Sequence, residues 1–155
     1  MRQGCDQNPP LAGFFVPIEF QGAGNEGGWV MLYFWIAAGG ALGSVTRYFM
    51  GVQVGRLLGT GFPWATLIIN VTGSFLIGAF AESFALRWDA PQSIRVFLVV
   101  GICGGYTTFS TFSLDVVTLV NREEYLAAGA YILASVAVSI AALYAGLHLM
   151  RLLYD

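Results

Sequence analysis

The chain has 155 residues, 57% of them hydrophobic and 10% charged, with mean hydropathy +0.70 and a formal net charge of -2. Soluble domains carry about 25% charged residues, so this composition is that of a membrane protein. Lysine is absent, and the arginines form no basic patch that would favour nucleic acid.

Residues 1–29 form an arm rich in Gly, Pro, Asn and Gln. Its apolar patch Leu11-Ala12-Gly13-Phe14-Phe15-Val16 is cut short by Pro17 and Glu19. The patch is too short, and too poor in positive flanks, for a secretory signal. The arm is expected to be disordered, or an artefact of start-site choice, because Met31 opens the first apolar run cleanly.

Uncharged runs then mark the spans: Gly27 to Thr46, Leu57 to Ala81, Val96 to Leu114 and Tyr125 to Met150. A membrane-spanning helix needs about 20 mostly apolar residues. Four helices are predicted over 30–53, 63–82, 94–118 and 124–151, so residues 30–155 form an all-α membrane domain. Pro63 suits a first helical turn. Trp29, Trp64 and Trp88 fall near span ends, where interfacial aromatics sit. Cys103 lies within a span and reads as a small buried hydrophobe, and its distance from Cys5 in character argues against a disulfide framework.

The third span carries Gly101-Ile102-Cys103-Gly104-Gly105-Tyr106-Thr107-Thr108-Phe109-Ser110-Thr111-Phe112-Ser113. Polar groups at membrane depth are costly unless they pair or line a cavity. Two readings stay open. The helix can be continuous, its glycines packing closely and its hydroxyls bonding back one turn. It can instead break at Gly104-Gly105, freeing carbonyls for a cation. Phe109 and Phe112 share a helix face, and their rings can pack or flank a pathway.

The fourth span places Tyr131, Ser135 and Ser139 at steps of four. The second holds Asn70 at mid-length, with Thr66 and Ser74 a turn to either side. Each row taken alone reads as interhelical glue; three rows together suggest a polar lining. Arg47 can snorkel to the interface or hold positive potential at a pore mouth. His148 reads as interfacial, and Glu82 and Asp115 as solvated or paired with arginine.

Arginines divide about evenly between the two sides, which leaves orientation undecided and admits insertion in both directions. Gly39/Gly43, Gly51/Gly55 and Gly101/Gly105 match the G-x-x-x-G spacing and suggest a packed dimer or larger oligomer. No Asp, Glu or His lies mid-span, as proton-coupled carriers usually require. No metal-ligand cluster or nucleophile–base arrangement is apparent, so enzyme readings are poor.

Three stretches resemble one family. Gly39-Gly40-Ala41-Leu42-Gly43-Ser44-Val45-Thr46-Arg47-Tyr48 is similar to G-G-x-x-G-A-x-x-R-Y, with Ser44 in place of Ala. Ala65 to Gly78 is similar to G-T-x-x-V-N-x-x-G-x-F-x-x-G, with Ala65 and Ile69 as departures. Gly104-Gly105-Tyr106-Thr107-Thr108-Phe109-Ser110-Thr111-Phe112 matches G-G-x-T-T-F-S-T-F throughout. From about Phe34 to Arg151 the chain resembles the Fluc (CrcB-type) family of small fluoride channels.

The resemblance implies an antiparallel, dual-topology homodimer in a bacterial inner membrane, with a third helix broken mid-membrane and two fluoride pores. It implies a structural Na+ on the dimer axis, held by the backbone carbonyls of Gly104 and Thr107. It places Asn70, Phe109, Phe112, Tyr131, Ser135 and Ser139 along the pores and Arg47 at a vestibule. The implied role is passive export of toxic fluoride. The competing readings are a proton-coupled fluoride antiporter or small multidrug-type exporter, and a structural subunit without transport.

Overall fold

The computed structural model describes residues 26–86 and 89–154. The expectation for the arm falls mainly on residues outside these. Every described element is helical: α1 (Glu26–Leu58), α2 (Trp64–Leu86), α3 (residues 92–106), α4 (Phe109–Asn121) and α5 (Tyr125–Tyr154). Helical length and hydropathy give four candidate crossings: Gly28–Leu58, Trp64–Leu86, Gln92–Asn121 and Tyr125–Tyr154. The protein is therefore a multi-pass membrane protein, all-helical among the described residues.

The helices overrun the expected spans because charge marks the end of apolar sequence, not the end of helix. α1 continues to Leu58 and stops where Gly59 takes φ 79°, its N–H bonding the Gly55 carbonyl at 3.0 Å. α4 ends in a tight reversal. Glu123 adopts φ 62°, and the Glu124 N–H closes on the Leu119 carbonyl at 3.0 Å.

α2 and α5 form the most extensive helix pair, and α1 lies along α3. Both contacts depend on missing side chains. A Cβ on Gly78 would collide with the Leu143 carbonyl oxygen, and one on Gly146 with that of Phe75. On the other side, a Cβ on Gly39 would lie 2.5 Å from the Phe97 carbonyl oxygen, and one on Gly105 2.6 Å from that of Gly40. The glycines at Gly39/Gly43 and Gly101/Gly105 are thus spent packing α1 on α3 within one chain. They carry no information about assembly. Gly51 and Gly55 instead line a small cavity.

α3 is irregular. Gln92–Arg95 is α-helical, Val96–Cys103 is π-helical, and Gly104–Tyr106 returns to α. Helix stops at Tyr106. Thr107 (φ -77°, ψ 158°) and Thr108 (φ -155°, ψ 119°) are extended, and helix resumes at Phe109. Gly104 and Gly105 keep helical geometry, so the expected effect of that pair is corrected. Gly105 serves close packing, and the chain departs from helix two residues later, where side chains can take over the backbone bonds.

The C-terminal ends of α2 and α5 meet through charge. Glu82 is buried, and Arg151 grips it from Nε at 2.6 Å and Nη2 at 3.3 Å. Of the two expectations for Glu82, pairing with arginine is the one realised.

Candidate functional site

The extended pair Thr107–Thr108 is held by side chains from two directions. The Asn70 amide on α2 binds the Thr108 backbone twice: Oδ1 accepts its N–H at 2.8 Å, and Nδ2 donates to its carbonyl at 3.0 Å. Thr108 also caps α4, its Oγ1 accepting the Thr111 N–H at 3.2 Å and donating to Thr111 Oγ1 at 3.1 Å. Part of the hydroxyl density in this stretch is therefore capping. Another part bonds back one turn: Thr107 Oγ1 to the Cys103 carbonyl and Ser113 Oγ to that of Phe109, each at 3.0 Å. Tyr106, just before the interruption, is buried with its hydroxyl 3.0 Å from Thr72 Oγ1.

These diversions have a consequence for two carbonyls. In a continuous α-helix the Thr108 N–H would bond the Gly104 carbonyl, and the Thr111 N–H that of Thr107. Here the first goes to Asn70 and the second to Thr108 Oγ1. Gly104 and Thr107 thus lose the helical donors to their oxygens, and Gly105 and Tyr106 lose theirs where the helix stops. Carbonyl oxygen is a hard donor suited to a group 1 or 2 cation, so the residues present fit a bound cation. The Thr107 oxygen also accepts from Arg47 Nη1 at 3.3 Å.

Beside the interruption lies a cavity of about 460 Å³. α2 contributes Asn70, Ser74 and Ile77. The interrupted segment contributes Gly104, Thr107, Thr108, Phe109 and Phe112, and α5 contributes Ser135, Val136 and Ser139. Five of the six expected pore residues are thus brought together, along with both expected carbonyl positions. The Ser135 and Ser139 hydroxyls are shielded and find no hydrogen-bonding partner among the described residues. A buried hydroxyl without a partner is costly, and these two lie on the cavity wall.

The phenyl rings form a row. Phe109 is 78% exposed and sits 5.4 Å from Phe112, with the ring planes tilted by 41°. Phe112 in turn lies 5.3 Å from Tyr131. Tyr131 does not line the cavity. It is wholly buried, its ring edge-on to Phe62 at 5.5 Å, and its hydroxyl donates to Asp115 Oδ2 at 3.1 Å. Arg47 also lies off the cavity wall, half-buried against the interruption.

Asp115, expected to be solvated or paired with arginine, is half-buried, accepts from Tyr131 and lines a second cavity of about 230 Å³ with Thr66, Thr118 and Arg122. Its position at the edge of an uncharged run was the available signal; its partner, on another helix, was not readable. Thr108 could have been found as a cap from the Thr108-Phe109-Ser110-Thr111 pattern preceding a helical run.

A helical membrane protein with an uncharged, hydroxyl- and phenyl-lined cavity against an interrupted helix belongs to the class of small multi-pass proteins with a polar site inside the helical layer. The chain belongs to the CrcB-like protein family (Camphor Resistance, CrcB), whose model matches residues 34–147. It is 63% identical over 118 residues to "Fluoride-specific ion channel FluC 1" of Nitrobacter hamburgensis, covering 76% of this chain and 94% of that protein. It is 60% identical over 118 residues to the "Fluoride-specific ion channel FluC" of Nitrobacter winogradskyi, with the same coverage. The protein of that name from Rhodospirillum centenum is 53% identical over 116 residues, 75% of this chain and 92% of its own.

Proposed function

We propose that this protein is a passive, fluoride-selective ion channel that lets fluoride leave the cytoplasm. The observation that carries the reading is the cavity lining: hydroxyls, an amide and phenyl rings, with no charged side chain among them. Fluoride is small and strongly hydrated, so a selective path must replace its water with donors. Hydroxyls donate, an amide nitrogen donates, and ring edges carry partial positive charge. A carboxylate in the lining would repel the anion, and a fixed cation would hold it too long. The names of the relatives point the same way.

In this reading residues 92–121 cross the bilayer as one helix broken at mid-depth, with Thr107 and Thr108 as the break. Two chains pair antiparallel in a bacterial inner membrane, inserted in both orientations, and complete two pores. Asn70, Phe109, Phe112, Ser135 and Ser139 line each pore, Tyr131 backs the track, and Arg47 lies towards a vestibule. The Gly104 and Thr107 carbonyls of both subunits hold one structural Na+. Bound there, the ion would neutralise converging carbonyl dipoles and fasten the two breaks together. The proton-coupled antiporter or exporter is disfavoured because the cavity lining holds no titratable carboxylate.

The test is fluoride efflux from liposomes containing the purified protein, with a potassium ionophore supplying counter-charge. Efflux well above that of protein-free vesicles, absent for chloride and indifferent to an imposed pH gradient, is expected. Equal chloride efflux would refute selectivity. Fluoride flux driven by a pH gradient would assign the antiporter instead.

A further inference from the structure

Arg47 sits in an unusual place for an arginine. Gly43, one turn earlier on α1, lacks the Cβ that would collide with the Ile102 carbonyl oxygen and lie 2.8 Å from the Tyr106 nitrogen. That close approach brings α1 against the end of α3, and the next turn delivers the Arg47 guanidinium to the Thr107 oxygen at 3.3 Å. No carboxylate among the described residues lies within salt-bridge distance of it. The group is half-buried. Its positive charge is therefore uncompensated by any acid among the described residues and rests on a carbonyl that has lost its helical donor.

We propose that Arg47 is a positioning residue that sets the affinity of the cation site by sharing the Thr107 carbonyl with the cation; this rests on the cation reading above. A carbonyl oxygen has two lone pairs, so it can accept from a guanidinium and still face a metal ion. A cation held by the same oxygen would lie close enough to the guanidinium to be repelled strongly in a medium less polar than water. Arg47 thus does two opposing things. Its hydrogen bond steadies the extended Thr107 when no ion is bound, and its charge weakens the ion's hold. The site would be kept weaker, and more exchangeable, than its oxygen donors alone would make it.

The experiment follows the melting temperature of the full-length protein in detergent as Na+ replaces an inert organic cation, after prolonged dialysis. Wild type, Arg47→Gln and Arg47→Lys are compared. Gln keeps an N–H donor and removes the charge; Lys keeps the charge. The Na+ concentration giving half the stabilisation should fall by roughly tenfold or more in Arg47→Gln and stay within about threefold of wild type in Arg47→Lys. A Na+ dependence in wild type that Arg47→Gln leaves unshifted overturns the role of Arg47 while the cation reading stands. Melting indifferent to Na+ in wild type overturns both. Should neither variant fold, the side-chain nitrogen resonances of the wild type decide. Those of Arg47 should move as Na+ is titrated while those of exposed Arg56 stay fixed, and a stationary Arg47 overturns the proposal.

Discussion

Replacing Asn70 with alanine should separate the two jobs its position suggests, lining a pathway and holding a backbone. The amide makes two hydrogen bonds to Thr108, at 2.8 Å and 3.0 Å, and Thr108 is 9% exposed. Asn70→Ala strands a buried N–H outright and leaves the carbonyl without its side-chain donor. A buried backbone group left unpaired costs about 1–3 kcal/mol. Because the carbonyl keeps some alternatives, the expected loss is about 2–4 kcal/mol. The assay is unfolding by a denaturing detergent, run beside fluoride efflux from liposomes. Asn70→Asp is the informative partner. It keeps the acceptor for the Thr108 N–H and loses the donor, so it should destabilise less than alanine. Its negative charge on the cavity wall should nevertheless abolish anion flux. A change in stability below about 0.5 kcal/mol for Asn70→Ala, the range of an uninvolved surface position, would refute the claim that the amide holds the extended pair.

Gly39→Ala should fail to yield folded protein on size exclusion, since its Cβ would lie 2.9 Å from the Gly101 Cα and closer still to the Phe97 oxygen, both backbone. Gly40→Ala, with nothing within 4 Å of the new carbon, should behave as wild type. Arg151→Met should destabilise by about 3 kcal/mol, because it leaves the Glu82 carboxylate, 2% exposed, without its bidentate partner. The double variant Glu82→Met with Arg151→Met should recover most of that loss in the same unfolding assay. Equal losses in the single and double variants would show that packing, not the stranded charge, is at stake.

The four crossings were legible because charges are scarce enough to punctuate the chain. The helix ends were less so: α1 runs on past Arg56 because a charged residue near a membrane surface need not end a helix, whereas Gly59 with its left-handed φ does. The cavity residues were also within reach, since Asn70, the Phe109/Phe112 pair and the Ser135/Ser139 row each stood out against apolar surroundings. What sequence could not locate was the interruption itself. Two adjacent glycines drew attention to residues 104 and 105, but extended backbone at depth needs partners more than it needs freedom. Those partners come from Asn70, 38 positions away, and from the Thr108 cap. The Tyr131–Asp115 and Arg151–Glu82 pairs were hidden for the same reason, each joining different helices.

The two extended threonines also set a pair of electrical poles beside each other. α3 ends at Tyr106, its last carbonyls without helical donors from α4, and α4 begins at Phe109 beside the cavity. Aligned peptides leave about half a negative charge at a helix's last turn and about half a positive charge at its first. A continuous helix would bury both in its middle, where they cancel. Interrupted, the same backbone offers a negative end and a positive end only two residues apart. The chain therefore sets both poles side by side while placing no charged side chain on the cavity wall.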